Sequence, residues 1–334
     1  MADTCIDRPP AGWGGTGEDW VHLQTRFPMR INPYFYSLIK SPDDPLGRQV
    51  IPSPEELQDL TGCADPLAEE RQSPAPQVIH RYPGRVVLLV SEQCAVHCRF
   101  CMRKRRVAGE ARITRTLLDR ALTYIRRQSD IHEVILSGGD PLMLNDEALG
   151  GILTDLRAMG HVRRLRIHTR IPSVLPQRVT PALAALLATF HPLYVNIHFN
   201  HSAEITPAAA EACRLLADAG IPLGSQTVLL KGVNDDPDVL TALMEDLLGV
   251  RVKPYYLHLL DRVPGTRHFQ VPIERGLALL AALRGPLSGM GMPHLMVDLP
   301  GGGGKVALTP DAIVEKGPDR WRIRNWQSRV YRYP

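Results

Sequence analysis

From Arg81 onward the chain alternates short apolar runs with longer amphipathic stretches. The runs Arg85–Val90, Glu133–Leu136, Leu165–His168, Tyr194–Phe199, Gly224–Leu229 and Pro254–Leu259 have the length and residue content of strands. Between them Arg115–Gln128, Asp146–Met159, Pro181–Ala188, Pro207–Ala219 and Pro237–Leu248 repeat apolar residues at helical spacing, and Pro272–Leu283 follows. Several of these open on Thr-Pro or Asp-Pro, an N-cap followed by proline in the first turn, where a missing N–H costs nothing. Strands and helices in series predict an α/β fold with a parallel sheet, curled by right-handed crossovers into a barrel or partial barrel. Six units are visible rather than eight, and His294–Asp298 reads as one more strand.

Residues 1–80 break this pattern. They are rich in Pro and Gly, yet Trp13, Trp20 and Tyr34-Phe35-Tyr36 predict a packed lead-in. Ser53 before Pro54-Glu-Glu-Leu predicts a short helix with Ser at the N-cap. No chemistry is visible there, so this stretch reads as a helical extension on the main domain or a partner subunit. The division is then 1–80, a barrel over 81–290, and a terminal segment over 291–334.

With 44% hydrophobic residues among 334, the chain has ample material for a core. A net charge of +4 gives no global case for nucleic-acid binding. The N-terminus has neither the basic nor the apolar region of a signal peptide, and no apolar run reaches the length of a membrane span. A soluble cytoplasmic protein is expected. Six cysteines are too few for a disulfide scaffold, and Cys5, Cys63 and Cys213 are scattered.

The other three are concentrated. Cys94, Cys98 and Cys101 form C-x3-C-x2-C directly after the strand-like run Val86–Val90. Three thiolates that close can ligate three irons of one cubane [4Fe–4S] cluster, which takes four cysteines when fully protein-ligated. No fourth lies nearby, so one iron stays open to a non-protein ligand. Structural zinc would need a fourth ligand such as His97, and a disulfide with a spare thiol fits poorly with the absence of a secretion signal.

With Phe100 directly before the last cysteine, this stretch resembles the radical S-adenosylmethionine (SAM) signature. Together with Val297-Asp-Leu-Pro-Gly-Gly-Gly-Gly-Lys305, it resembles the lysine 2,3-aminomutase family from about Arg30 to the C-terminus. The resemblance implies a radical SAM partial (β/α)6 barrel with three cofactors: a [4Fe–4S] cluster, SAM and pyridoxal 5′-phosphate (PLP). It implies an isomerase interconverting L-lysine and β-lysine. A 5′-deoxyadenosyl radical takes hydrogen from C3, and the amino group migrates between C2 and C3. An electron donor such as flavodoxin or ferredoxin and a homo-oligomer also follow from the resemblance.

The resemblance assigns residues as well. Cys94, Cys98 and Cys101 take the cluster. Ser137, Gly138, Gly139 and Asp140 face the SAM amino group, although a glycine-rich turn capped by Asp140 explains the same residues. His198 and Gln226 lie near the adenosyl part, while His168, His201 and Asn234 are set aside. Lys305 carries PLP; four glycines alone would read as a plain loop. Arg81, Tyr82 and Arg85 meet the PLP phosphate and ring, or else form a solvated basic strand edge. Arg103 pairs with the substrate carboxylate, which suits a two-point guanidinium. Asp261 and Asp298 hold the distant ammonium, and both acids together point to a cationic amino acid. Such motifs belong at the C-terminal ends of barrel strands.

The chain ends 29 residues after Lys305 and has no late cysteine cluster, so no intersubunit zinc is expected. Arginine, ornithine or a protein-bound lysine are alternative substrates. The last is the substrate class of the branch that modifies elongation factor P. That branch is described as lacking a perfect glycine run before its lysine, which argues against it here. A non-catalytic Fe–S sensor would leave the glycine-lysine motif idle.

Overall fold

The computed structural model describes residues 5–8, 18–59, 61–107, 113–309, 313–316, 321–325 and 328–333. Nine strands form one sheet in sequence order: β1 (Val78–Tyr82), β2 (Arg85–Ser91), β3 (Glu133–Gly138), β4 (Arg164–Thr169), β5 (Leu193–His198), β6 (Leu223–Val228), β7 (Lys253–His258), β8 (His294–Leu299) and β9 (Gly304–Leu308). From β2 to β8 every neighbouring pair is parallel. The edge strands β1 and β9 run antiparallel to their neighbours. Helices α1 (Arg115–Arg127), α2 (Asp146–Arg157), α3 (Pro181–Ala188), α4 (Pro207–Asp218), α5 (Pro237–Gly249) and α6 (Ile273–Leu283) are the crossovers. The caps are those the sequence predicted: Thr180, Thr206 and Asp236 each accept a hydrogen bond from the first turn, ahead of a proline.

The two faces of the sheet differ. Leu165 and Ile167 of β4, and Val195 and Ile197 of β5, are fully buried. They share the core with Leu118, Leu153, Leu183, Leu216 and Leu243 from the helices. Each such side chain contributes roughly 1.5–3 kcal/mol when buried. Their strand neighbours Arg166, His168, Asn196 and His198 point the other way and line a cavity. The edges of the curl meet. The Lys305 N–H donates to Tyr82 Oη at 2.8 Å, and Arg81 Nη1 lies 3.5 Å from Asp298 Oδ1.

Several elements differ from the sequence reading. Arg81 and Tyr82, read from the sequence as lying just before the first strand, belong to β1, a hairpin partner of β2. Lys305 is the second residue of a strand, not the tip of a loop. Ile313–Lys316, Trp321–Arg324 and Val330–Tyr333 form a separate antiparallel sheet. The helix after Ser53 is a four-residue turn, Glu55–Gln58; Ser53 Oγ accepts from Glu55 N–H and its own N–H donates to Glu56. Phe35 is fully buried and Trp20, Tyr34 and Tyr36 pack against the same core, whereas Trp13 lies outside the described residues. Among the described residues no helix is long and apolar enough to cross a membrane.

Candidate active site

A cavity of about 360 Å³ opens inside the curl of the sheet. Every position singled out in the sequence borders it: Cys94, Cys98 and Cys101, Ser137 to Asp140, His198 and Gln226, Arg81, Tyr82 and Arg85, Arg103, Asp261, Asp298 and Lys305.

The cysteines lie in the loop after β2, which is packed backbone to backbone on the end of β3. Gly139 N–H donates to Ser91 O at 2.6 Å and Asp140 N–H to Gln93 O at 2.8 Å. A Cβ on Gly138 would stand 2.2 Å from Ser91 O, and one on Gly139 2.4 Å from Gln93 O, so only glycine fits this contact. From below, Arg99 donates to both oxygens of Glu56, at 2.8 and 2.7 Å, and to the Phe27 carbonyl. Burial pushes the Cys94 thiol well up, with Cys101, Asp140 and Cys98 adding to it. Burial, then Cys98, pushes Cys101 to about 11. These thiols need a bound cation to become thiolates. Among the described residues no three His, Cys, Asp or Glu groups form a single-ion site. Three half-buried cysteines along one wall instead suit a cluster that takes one thiolate per iron.

Asp140 accepts from Leu142 N–H, Thr169 Oγ1 and Arg170 N–H, so its oxygens cap a turn and brace β4 while the residue borders the cavity. His198 Nε2 lies 2.9 Å from Asn200 Oδ1, and its ring is 5.4 Å from that of Phe100. Burial, then Arg170, pushes this imidazole down to about 4, so it is neutral.

At the opposite wall the glycine run is a single turn. Gly301, Gly302 and Gly304 have φ of +66°, +91° and +87°. A Cβ on Gly302 would lie 2.6 Å from Gln72 Nε2. The turn delivers Lys305 so that Nζ is 2.5 Å from Asp298 Oδ2. His258 Nδ1 lies 3.6 Å from the same oxygen. Asp261 is pushed up to about 7, by burial first and Asp298 second, with Lys305 pulling it back. Arg85 stacks on Tyr82, 4.1 Å from its ring centroid.

Sequence reasoning missed several lining residues. Glu69, 2% exposed, grips the Nε/Nη2 edge of Arg103 at 3.1 and 2.7 Å, while Arg103 Nη1 donates to Ser137 Oγ. Nothing in the sequence links residues 69 and 103. His168 and Asn196 carry buried nitrogens, Nε2 and Nδ2, without a hydrogen-bond partner. Burial beside Arg166, Lys305 and Arg103 keeps His168 neutral. A signal existed for these two. Strands of a fully covered parallel sheet read as continuous apolar runs, whereas β4 and β5, which carry these two residues, alternate polar and apolar residues.

A profile of the radical SAM superfamily matches residues 88–243, and one described as lysine-2,3-aminomutase matches residues 280–334. The chain is 43% identical to the L-lysine 2,3-aminomutase of Fusobacterium nucleatum, over 91% of this chain and 73% of the relative. It is 43% identical to the enzyme of the same name from Clostridium subterminale, over 91% and 74%. It is also 41% identical to a glutamate 2,3-aminomutase from Clostridioides difficile, over 92% and 73%.

Proposed function

The chain belongs to the lysine 2,3-aminomutase family of the radical SAM superfamily, and from that premise we propose that it interconverts L-lysine and β-lysine. When bound, the [4Fe–4S] cluster and SAM supply the hydrogen-abstracting radical, and PLP supplies the π-system that lets the amino group shift between C2 and C3. The residues present fit these groups: three half-buried thiols on one wall, and on the other a lysine amine bordered by Arg81, Arg85 and the unpartnered nitrogens of His168 and Asn196.

Relatives of similar identity carry the names of a lysine and a glutamate enzyme, and the charge of the cavity distinguishes the two substrates. The observation that carries the reading is the seat of the Lys305 ammonium, 2.5 Å from Asp298 with the Asp261 carboxyl beside it. An acid pair of which Asp298 accepts the chain's own primary ammonium is complementary to the distal ammonium of free lysine. It repels the side-chain carboxylate of glutamate. With PLP bound at Lys305, that seat would be open to the substrate ammonium.

Arg103 holds the α-carboxylate. Glu69 occupies its Nε/Nη2 edge and leaves the Nη1/Nη2 edge, steadied by Ser137, turned to the cavity. Arg81 and Arg85 take the PLP phosphate, and Tyr82 fixes the backbone N–H of Lys305. Neutral His198 and Gln226 flank the adenosyl group. The protein's share is positioning and the exclusion of water. Its free cysteines suit a reducing cytoplasm, and a small one-electron carrier such as flavodoxin or ferredoxin serves as donor.

The test is anaerobic incubation of the reconstituted protein with SAM, PLP and dithionite, in parallel with L-lysine, L-glutamate, L-ornithine and L-arginine, followed by mass-resolved amino-acid chromatography. A β-lysine peak from lysine alone, absent without PLP, is expected. A β-glutamate peak, or no β-lysine from protein with a verified cluster, overturns the assignment.

A further inference from the structure

Arg170 stands directly after β4, is 7% exposed, and is tied by its own N–H to Asp140 Oδ2 at 2.6 Å. Its side chain stacks over Phe100 and Phe35, with Cζ 5.4 and 5.6 Å from their centroids. Nη2 donates to Gln49 Oε1 at 2.5 Å and to Glu204 Oε2 at 3.2 Å. Nη1 donates to Cys98 Sγ at 2.8 Å, and Nε has no partner.

The support behind it is extensive. Glu204 is fully buried and accepts from Gln49 Nε2 at 3.0 Å, Ser173 Oγ at 2.6 Å, Asn200 N–H at 3.0 Å and His201 N–H at 3.1 Å. Asn200 Nδ2 donates to Gln49 Oε1 at 2.9 Å. A buried ion pair by itself is weak evidence for stability, because its desolvation offsets its attraction. Here the pair sits in a cage of neutral amides and hydroxyls. The cage leaves Nη1 turned toward the cysteine loop and Nε without a partner. A planar five-donor fork suits that task; a lysine ammonium does not.

We propose that Arg170 is a positioning residue that sets the reduction potential of the cluster through its N–H···S bond to Cys98, with Glu204 setting the net charge it presents. The inference rests on the radical SAM reading of the cysteines and is independent of the substrate. Hydrogen bonds and positive charge at a cluster sulfur favour the reduced state. Reduction adds one electron to the cluster from an external one-electron donor, and no bond or proton of Arg170 moves.

The test uses reconstituted holoprotein without SAM, PLP or amino acid, poised with viologen dyes, with reduced cluster quantified by electron paramagnetic resonance. Arg170→Lys keeps a cation for Glu204 and loses the N–H···S geometry. The reduced-to-oxidised ratio at fixed potential should fall roughly tenfold, which is about 59 mV for a one-electron couple. Glu204→Gln removes a buried negative charge and should raise the ratio. Opposite signs, with SAM affinity unchanged in both, are expected. A purely structural pair would lower iron content in both variants and leave the potential of the surviving cluster unmoved, which overturns the proposal. So does an unmoved potential with weakened SAM binding, which would make Arg170 a SAM contact. If Arg170→Lys cannot hold four irons, Glu204→Gln decides alone. Failure of the lysine assignment would leave these results standing.

Discussion

The cysteine loop and the glycine turn face each other across one cavity and are held in opposite ways. Beneath the cysteine loop lie the near-fully buried pair Arg99–Glu56, Lys104 also on Glu56, and backbone contacts that admit no Cβ at Gly138 or Gly139. The glycine turn is tied at its margins, by Gly301 N–H to Pro66 O and Lys305 N–H to Tyr82 Oη, and is flanked by Leu299 and Val306, each about 40% exposed. The difference follows from the chemistry. Thiols that, as proposed, would receive a cluster are best already in place, because an open iron reacts with whatever reaches it. A lysine that, as proposed, would hold PLP needs room to move.

The largest effect should come from breaking the brace on the cysteine side. Glu56→Ala strands the Arg99 guanidinium without a counter-ion at a site where both side chains are almost wholly buried. Removing one partner of such a pair costs about 3–5 kcal/mol. Chemical denaturation should show that loss, and iron analysis after reconstitution should fall with it. Unchanged stability and full iron content would mean that the brace does not hold the loop and that the two walls do not differ as described.

Much of this comparison was hidden in the sequence for a physical reason. The seven parallel strands and six crossover helices were legible because their apolar periodicity is set locally, strand by strand. So were the cysteines and Lys305, whose chemistry is carried by a contiguous motif. Glu56, Glu69 and Gln49 were not, because each acts on a residue 34 or more positions away. The stretch that showed no chemistry in the sequence supplies the carboxylates behind Arg99 and Arg103. The edge strands β1 and β9 were missed because each is only five residues long and neither carries a continuous apolar run; each pairs as a hairpin with the strand next to it in sequence.

A smaller effect, on the lysine side, concerns pH. Burial and Asp298 raise the Asp261 carboxyl from 3.8 to about 7. The fold therefore favours its neutral form, and its contribution to stability declines as pH rises from about 4 through 7. For binding the sign is opposite. Above pH 7 Asp261 is ionised and attracts an ammonium; below it the acid must release a proton as the cation enters. Calorimetry of lysine binding to the PLP-loaded protein at pH 6, in buffers of different ionisation enthalpy, should show proton release. Affinity should weaken by at most about tenfold per pH unit below 7, or 1.36 kcal/mol. Asp261→Asn should abolish both the release and the slope. A pH-independent affinity in the unaltered protein would remove Asp261 from the ammonium seat.

The smallest effect should separate the glycines. Gly301 has φ of +66°, and a Cβ there would meet nothing nearer than Arg71 Nη2 at 3.8 Å. Gly301→Ala therefore carries only the cost of a left-handed conformation, roughly 1–2 kcal/mol, with no clash to relieve. Across the cavity, a methyl on Gly139 would stand 2.4 Å from a backbone carbonyl that is itself fixed by hydrogen bonding to Asp140. Thermal unfolding of the Gly301→Ala protein should shift by only a few degrees, and iron content should be untouched, since among the described residues no hydrogen bond or ion pair joins the cysteine loop to this turn. If Gly301→Ala instead lost iron, the two walls would be mechanically coupled. The cluster could not then be called preformed independently of the lysine that faces it.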